Sequence, residues 1–144
     1  EKDGKAFILT AKCIGCGECL AVCRFDAVKY DWNAESSFTQ QSMAEHAYGI
    51  VKGKKEKCLF INVLVDMTHD CDCFSVKQEK MIPDIGILAS FDPVAVDKVT
   101  LDLTAKAHGK TLPELAYAHL DAMIQLRHAA KVGMGSLEYE LVEI

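Results

Sequence analysis

The stretch "DIGILASFDPVAVDKVTLDLTAKAHG" (84–109) decides the fold class. Its first seven residues are a short, mostly apolar run bounded by polar residues, the pattern of a buried strand. Asp92 then brings the short acceptor side chain favoured at a helix N-cap, and Pro93 has a φ suited to the first helical position. Val96, Val99, Leu103 and Ala107 recur at helical spacing and predict the inward face. Gly109 can adopt the left-handed conformation that stops a helix. A strand running directly into a well-capped helix is the unit of an α/β layer structure.

Outward from this unit, "CLFINVLVD" (58–66) is a mostly apolar run that predicts a buried central strand. Residues 34–51 predict a helix that Ser36 or Ser37 can cap, with Phe38, Ala44, Ala47, Tyr48 and Val51 on one apolar face. Gly53 and the neighbouring lysines end it. Thr111 and Glu114 stand at capping-box spacing and predict a helix continuing toward Lys131, with Gly133 and Gly135 breaking it. "LEYELVEI" (137–144) alternates like a strand. Near the N-terminus, "KAFIL" (5–9) and "AVKYDW" (27–32) read as strands flanking a cysteine loop. The expected organisation is an α/β fold, a layered sheet with flanking helices over 34–144, preceded by a ferredoxin-like α+β half-module over 1–33.

Composition narrows the function classes. The 144 residues are half hydrophobic and carry a net charge of −5, which argues against a general nucleic-acid binder. The one basic run, "KGKKEK" (52–57), reads as a solvated loop after a helix. No apolar stretch reaches the roughly 20 residues needed to span a bilayer, and no signal peptide is evident. Seven cysteines, four of them clustered at ligand spacing, fit thiolate ligands in a reducing cytoplasm better than a disulfide framework.

The cysteines lie in "AKCIGCGECLAVCRFDAV" (11–28), where Cys13, Cys16, Cys19 and Cys23 have the spacing C-x2-C-x2-C-x3-C. Two residues between thiols let a tight loop wrap three sulfurs around one face of an iron–sulfur cubane. Gly15 and Gly17 permit the backbone angles and the close N–H approach to sulfur that this needs. Ile14 and Leu20 predict an apolar wall beside it. Structural zinc sites pair two cysteine knuckles or add histidines, so zinc fits this run poorly.

In the bacterial ferredoxin pattern the fourth cysteine of such a run serves a different cluster from the first three. The fourth ligand then has three sources. An upstream run can supply it, with Cys23 completing the other cluster. Cys58, Cys71 or Cys73 can supply it. Cys23 itself can bind the same cluster. The chain opens on Glu1 rather than Met, and residues 1–12 resemble the strand joining two cluster runs, which favours the first source.

A second constellation is "DMTHDCDCF" (66–74), with Asp66, His69, Asp70, Cys71, Asp72 and Cys73 close in sequence after the expected central strand. In an extended loop Cys71 and Cys73 project to one side. Together with Asp72 they are candidates for a second metal or thiol site, and Asp84 is a candidate for the same cleft. The plain reading is a polar turn. Asp92 is expected to cap its helix, with the free N–H groups there able to take an anion. His46, His108, His119 and His128 fall on expected helices without a partner at ligand spacing and read as structural.

The motifs "CIGCGECLAVC", "INVLVDMTHDCDCF", "IPDIGILAS", "DPVAVDKVTLDL" and "GMGSLEYELVEI" together resemble the domain-of-unknown-function family 362, over nearly the whole chain. The resemblance implies a ferredoxin-like insert with two cluster runs inside a larger α/β domain, of which this chain looks like the second run and the C-terminal part. It implies that Cys13, Cys16, Cys19 and Cys23 ligate 4Fe–4S clusters, one on this run and two in a longer protein. Arg24 departs from the proline that ferredoxin runs carry there.

The expected function is an electron-transfer or redox module with a protein redox partner, coupled to an α/β domain of open activity. One alternative is an iron–sulfur-dependent enzyme, an oxidoreductase, with its chemistry at Cys71, Asp72 and Cys73. The other is a non-redox protein in which the metal is structural. The residues name neither a substrate nor a small-molecule ligand.

Overall fold

A computed structural model describes residues 3–14, 16–25, 27, 28, 36–54, 56–70, 73 and 75–144. The chain divides into two compact units, Glu1–Ala34 and Glu35–Ile144. The first contains a 3-10 turn at Thr10–Lys12 and a short helix, α1 (Glu18–Val22), and none of its described residues is buried. The expected strand at 5–9 does not form beyond an isolated bridge at Lys5. Phe7, Ile8 and Leu9 are exposed, so alternation there finds nothing to bury against. The expected strand at 27–32 lies, from 29 on, outside the described residues.

The second unit is an α/β fold built from α2 (Ser36–Val51), β1 (Phe60–Leu64), β2 (Gly86–Ser90), α3 (Pro93–His108), α4 (Leu112–Ala116) and α5 (Met123–Lys131). The two strands pair antiparallel, with Asn62 opposite Leu88 and Val63 opposite Ile87. The sheet rests on α3 through one face. Asn62, the polar break in its strand, lies on that face and donates to Asp97 Oδ1 at 2.8 Å and Thr100 Oγ1 at 2.9 Å. A polar side chain facing a helix is tolerable because both acceptors stand there. The other face is open: Ile61, Val63 and Ile87 are 57%, 60% and 69% exposed. The sequence predicts a strand buried on both sides, whereas β1 alternates because α3 covers a single face.

Helix α3 forms as its sequence dictates. Asp92 caps it by accepting from the Val94 and Ala95 N–H groups, and Gly109 ends it at φ 79°. Val94, Val96 and Val99 are buried, and Ala107 is exposed rather than inward, because it lies past the last turn that meets other elements. Ala44 of α2 meets Val94, Leu126 and Ala129 in the core, joined at its margin by Leu101, Met123 and Met134. Phe38 points away from this core and is exposed, against expectation. His128 of α5 bonds Glu45 of α2 at 2.9 Å, which gives that histidine a structural partner.

Two further expectations fail. The capping box at Thr111 and Glu114 forms, but α4 stops at Ala116. Asp121 Oδ1 then accepts from the Met123 N–H at 2.8 Å and starts α5 afresh. The alternating tail 137–144 forms no strand: the sheet holds β1 and β2 alone among the described residues, and Leu141, Val142 and Ile144 are exposed. Among the described residues no helix is long and apolar enough to cross a membrane.

Candidate functional site

The cysteine run is arranged by three local devices. The 3-10 turn closes with the Cys13 N–H donating to Thr10 O at 3.1 Å, which leaves Cys13 extended. Gly17 sits at φ 74°, a conformation costly for any residue with a Cβ, and reverses the chain between Cys16 and Cys19. Its carbonyl accepts from Leu20 and Ala21, which starts α1 with Cys19 in the first turn and Cys23 just past the end. The Ala27 N–H donates to Cys23 Sγ at 3.3 Å.

Cys13, Cys16 and Cys19 are exposed and Cys23 is half-buried. Ile14 stands exposed rather than forming a wall, whereas Leu20 is half-buried. Gly15 lies outside the described residues. Among the described residues, no three His, Cys, Asp or Glu side chains converge as they do around a metal ion. The described thiols thus lie along an open loop and helix rather than in a closed cage.

At the second constellation, Cys71 and Asp72 lie outside the described residues, and Cys73 is exposed. Described residues near them in sequence are ordered by side-chain contacts. Gln78 clamps Asp70 from both sides: its Oε1 accepts from the Asp70 N–H at 2.8 Å, and its Nε2 donates to the Asp70 carbonyl at 3.0 Å. The Asp70 carboxylate accepts from the Tyr117 hydroxyl and lies 3.1 Å from His69 Nδ1. The Tyr117 and His69 rings meet at 4.8 Å. The Tyr117 hydroxyl, then His69, holds the Asp70 carboxyl below its ordinary pKa, and Asp70 in turn pushes Tyr117 up.

Asp84 does not join this group. It accepts from the Asp66 N–H at 2.8 Å and pairs with Lys80 at 2.9 Å, and Lys80 also pairs with Asp66 at 2.9 Å. This brace holds Asp66 at φ 52° where the chain leaves β1. Lys80 first, and the Asp66 N–H second, lower the Asp84 pKa.

Sequence spacing misses Tyr117, which is 47 positions from Asp70 and belongs to the C-cap of α4. Gln78 and Lys80 were legible only as polar loop residues. At α3, Asp92 uses its Oδ1 for Val94 and Ala95 and its Oδ2 for the Ser136 N–H at 2.8 Å. The N–H groups expected to be open to an anion are thus taken by the cap itself.

A family model described as Domain of unknown function (DUF362) matches residues 10–102. The match takes in the cysteine run, both strands, the 65–85 loop and most of α3. No curated protein and no solved structure matches the chain.

Proposed function

This chain belongs to the family of the domain of unknown function DUF362, and we propose that it is a 4Fe–4S protein serving electron transfer, with a redox protein as partner. The observation that carries the reading is the thiol set itself. Cys13 and Cys16 sit on a loop that a left-handed Gly17 turns into α1, Cys19 lies in the first turn of that helix, and Cys23 Sγ takes a backbone N–H just past its end. Cys13, Cys16 and Cys19 would share one cluster, and Cys23 would ligate the same cluster or another. A cluster bound there supplies reversible one-electron transfer at a potential set by hydrogen bonds to sulfur and by burial. The open arrangement of the thiols suits ligands that close around iron and sulfide as these bind.

Anaerobic reconstitution followed by EPR, before and after dithionite, tests the reading. A signal that appears on reduction and disappears on reoxidation supports it. A bound metal that is EPR-silent in both states and cannot be reduced points to a structural site instead.

A second reading rests on the Tyr117–Asp70–His69 contacts. They order the residue that precedes Cys71, and an oxidoreductase could use Cys71, Asp72 and Cys73 there as a thiol or metal site. Replacing Cys71 and Cys73 with serine removes this reading if metal content and turnover stay unchanged.

A further inference from the structure

The second unit contains a cleft of about 430 Å³ between the C-terminal end of α2, the start of β1 and the 133–136 loop. That volume is in the range of small-molecule sites. Its lining has two characters. Val51, Phe60, Phe91 and Met134 are apolar, and Phe91 is exposed along the cleft rather than packed into the core. Lys52 and Lys54 bring positive charge to the same lining.

Both lysines are placed by the turn that ends α2. The Lys52 N–H donates to Tyr48 O at 2.8 Å and the Lys54 N–H to Val51 O at 2.9 Å, with Gly53 between them at φ 76°. Lys52 Nζ lies over the ring of Tyr48, itself a lining residue, 5.6 Å from the centroid, a contact that attracts the cation to the ring face. Among the described residues neither lysine is paired with a carboxylate. The one carboxylate in the lining, Asp92, accepts from three backbone N–H groups and forms no ion pair with either lysine, so the lining carries two cations against one anion. In a chain of net charge −5, two unpaired cations beside an apolar cleft are a local reversal of sign.

We propose that this cleft binds a small organic phosphate, with the phosphate between Lys52 and Lys54 and a flat apolar body against Phe60 and Phe91. Two lysines supply point charges that suit a doubly charged phosphomonoester. The body is held by burial of apolar surface rather than by hydrogen bonds. The basic run that reads from sequence as a solvated loop thus acquires a partner. The inference stands apart from the cysteine run, which lies in the other unit.

The test is an amide NMR titration of the whole chain with naphthyl phosphate, beside inorganic phosphate and neutral naphthol. Saturable shifts are expected at 51–54, 91–92 and 133–136, with naphthyl phosphate binding more tightly than either fragment. The Lys52→Ala/Lys54→Ala double variant should weaken binding about tenfold or more, and added salt should weaken it in the wild type. Both lysines are exposed, so the variant should keep the wild-type spectrum elsewhere. Phe91→Ala should weaken naphthyl phosphate and leave inorganic phosphate unchanged. Absence of saturation, shifts concentrated on Ile61, Val63 and Ile87 of the open sheet face, equal binding of naphthol, or a double variant of unchanged affinity would each overturn the proposal.

Discussion

Asp92 and Gly135 should be strongly coupled, and the structure sets the size of the effect. Asp92 accepts three backbone N–H groups, two in the first turn of α3 and one from Ser136. Losing a helix cap costs about 1 kcal/mol and up to about 2. Losing the bond to Ser136 adds about 1 kcal/mol, below the usual range for a charged acceptor because Ser136 is exposed and water can reach the freed group. Asp92→Ala should therefore cost about 2–3 kcal/mol. A Cβ added at Gly135 would lie 2.0 Å from Asp92 Oδ1, 2.7 Å from Cγ and 2.9 Å from Oδ2. No atom survives such distances, so in Gly135→Ala either the loop moves or the carboxylate swings away. Swinging away forfeits the same hydrogen bonds, which caps the cost of Gly135→Ala at about 2–3 kcal/mol, within the usual range for overpacking. In the Asp92→Ala background the three nearest atoms are gone. Gly135 does not need a left-handed φ, so the second alanine should then be neutral, or stabilising by about 0.4–1 kcal/mol through the unfolded chain. The expected coupling is about 2–3 kcal/mol, read from urea midpoints at constant m-value. Gly133→Ala is the control: at φ 85° it should cost about 1 kcal/mol in either background. Additivity of Asp92→Ala and Gly135→Ala within about 0.5 kcal/mol would refute the reasoning.

Tyr117→Phe removes the main cause of Asp70's lowered pKa, so the Asp70 carboxyl should titrate closer to its ordinary value, as followed by NMR of its side-chain carbon. Lys80→Met should likewise raise the Asp84 pKa, by loss of the pair that lowers it most. Both carboxyls sit below their unfolded values, so the stability they give is full above the ordinary carboxylate range and is lost as pH falls through the lowered folded-state values. Acid titration of wild type and Lys80→Met should therefore show a smaller acid loss in the variant. Thr111→Ala breaks the capping box and should cost about 1 kcal/mol in local stability, seen as faster amide exchange across α4.

What the sequence disclosed was mostly local. The Asp92 cap, the Gly109 stop and the Thr111–Glu114 box are decided within a turn of helix, and each forms as its residues dictate. Strand positions 60–64 and 86–90 were legible from apolar content, but their exposure was not, because it depends on which faces α3 covers. Phe38 and the 137–144 tail carry sound periodicity and still lie exposed, since a periodic pattern needs a partner surface that spacing does not reveal. The Tyr117–Asp70 bond and the junction of Ser136 with Asp92 join residues 47 and 44 positions apart, and nothing in either local sequence announces them. The cysteine run was the opposite case: the chemistry proposed for it rests on its spacing, whereas the open placement of its thiols came only from the structure.

The account turns on what Cys13, Cys16 and Cys19 hold. The most direct measurement is the iron and acid-labile sulfide content of anaerobically reconstituted protein, wild type beside the single Cys13→Ser, Cys16→Ser and Cys19→Ser variants. The account predicts about four iron and about four sulfide per cluster in the wild type, with marked loss of both in each variant. One tightly bound zinc per chain without sulfide, or full iron and sulfide in the three variants, would contradict it.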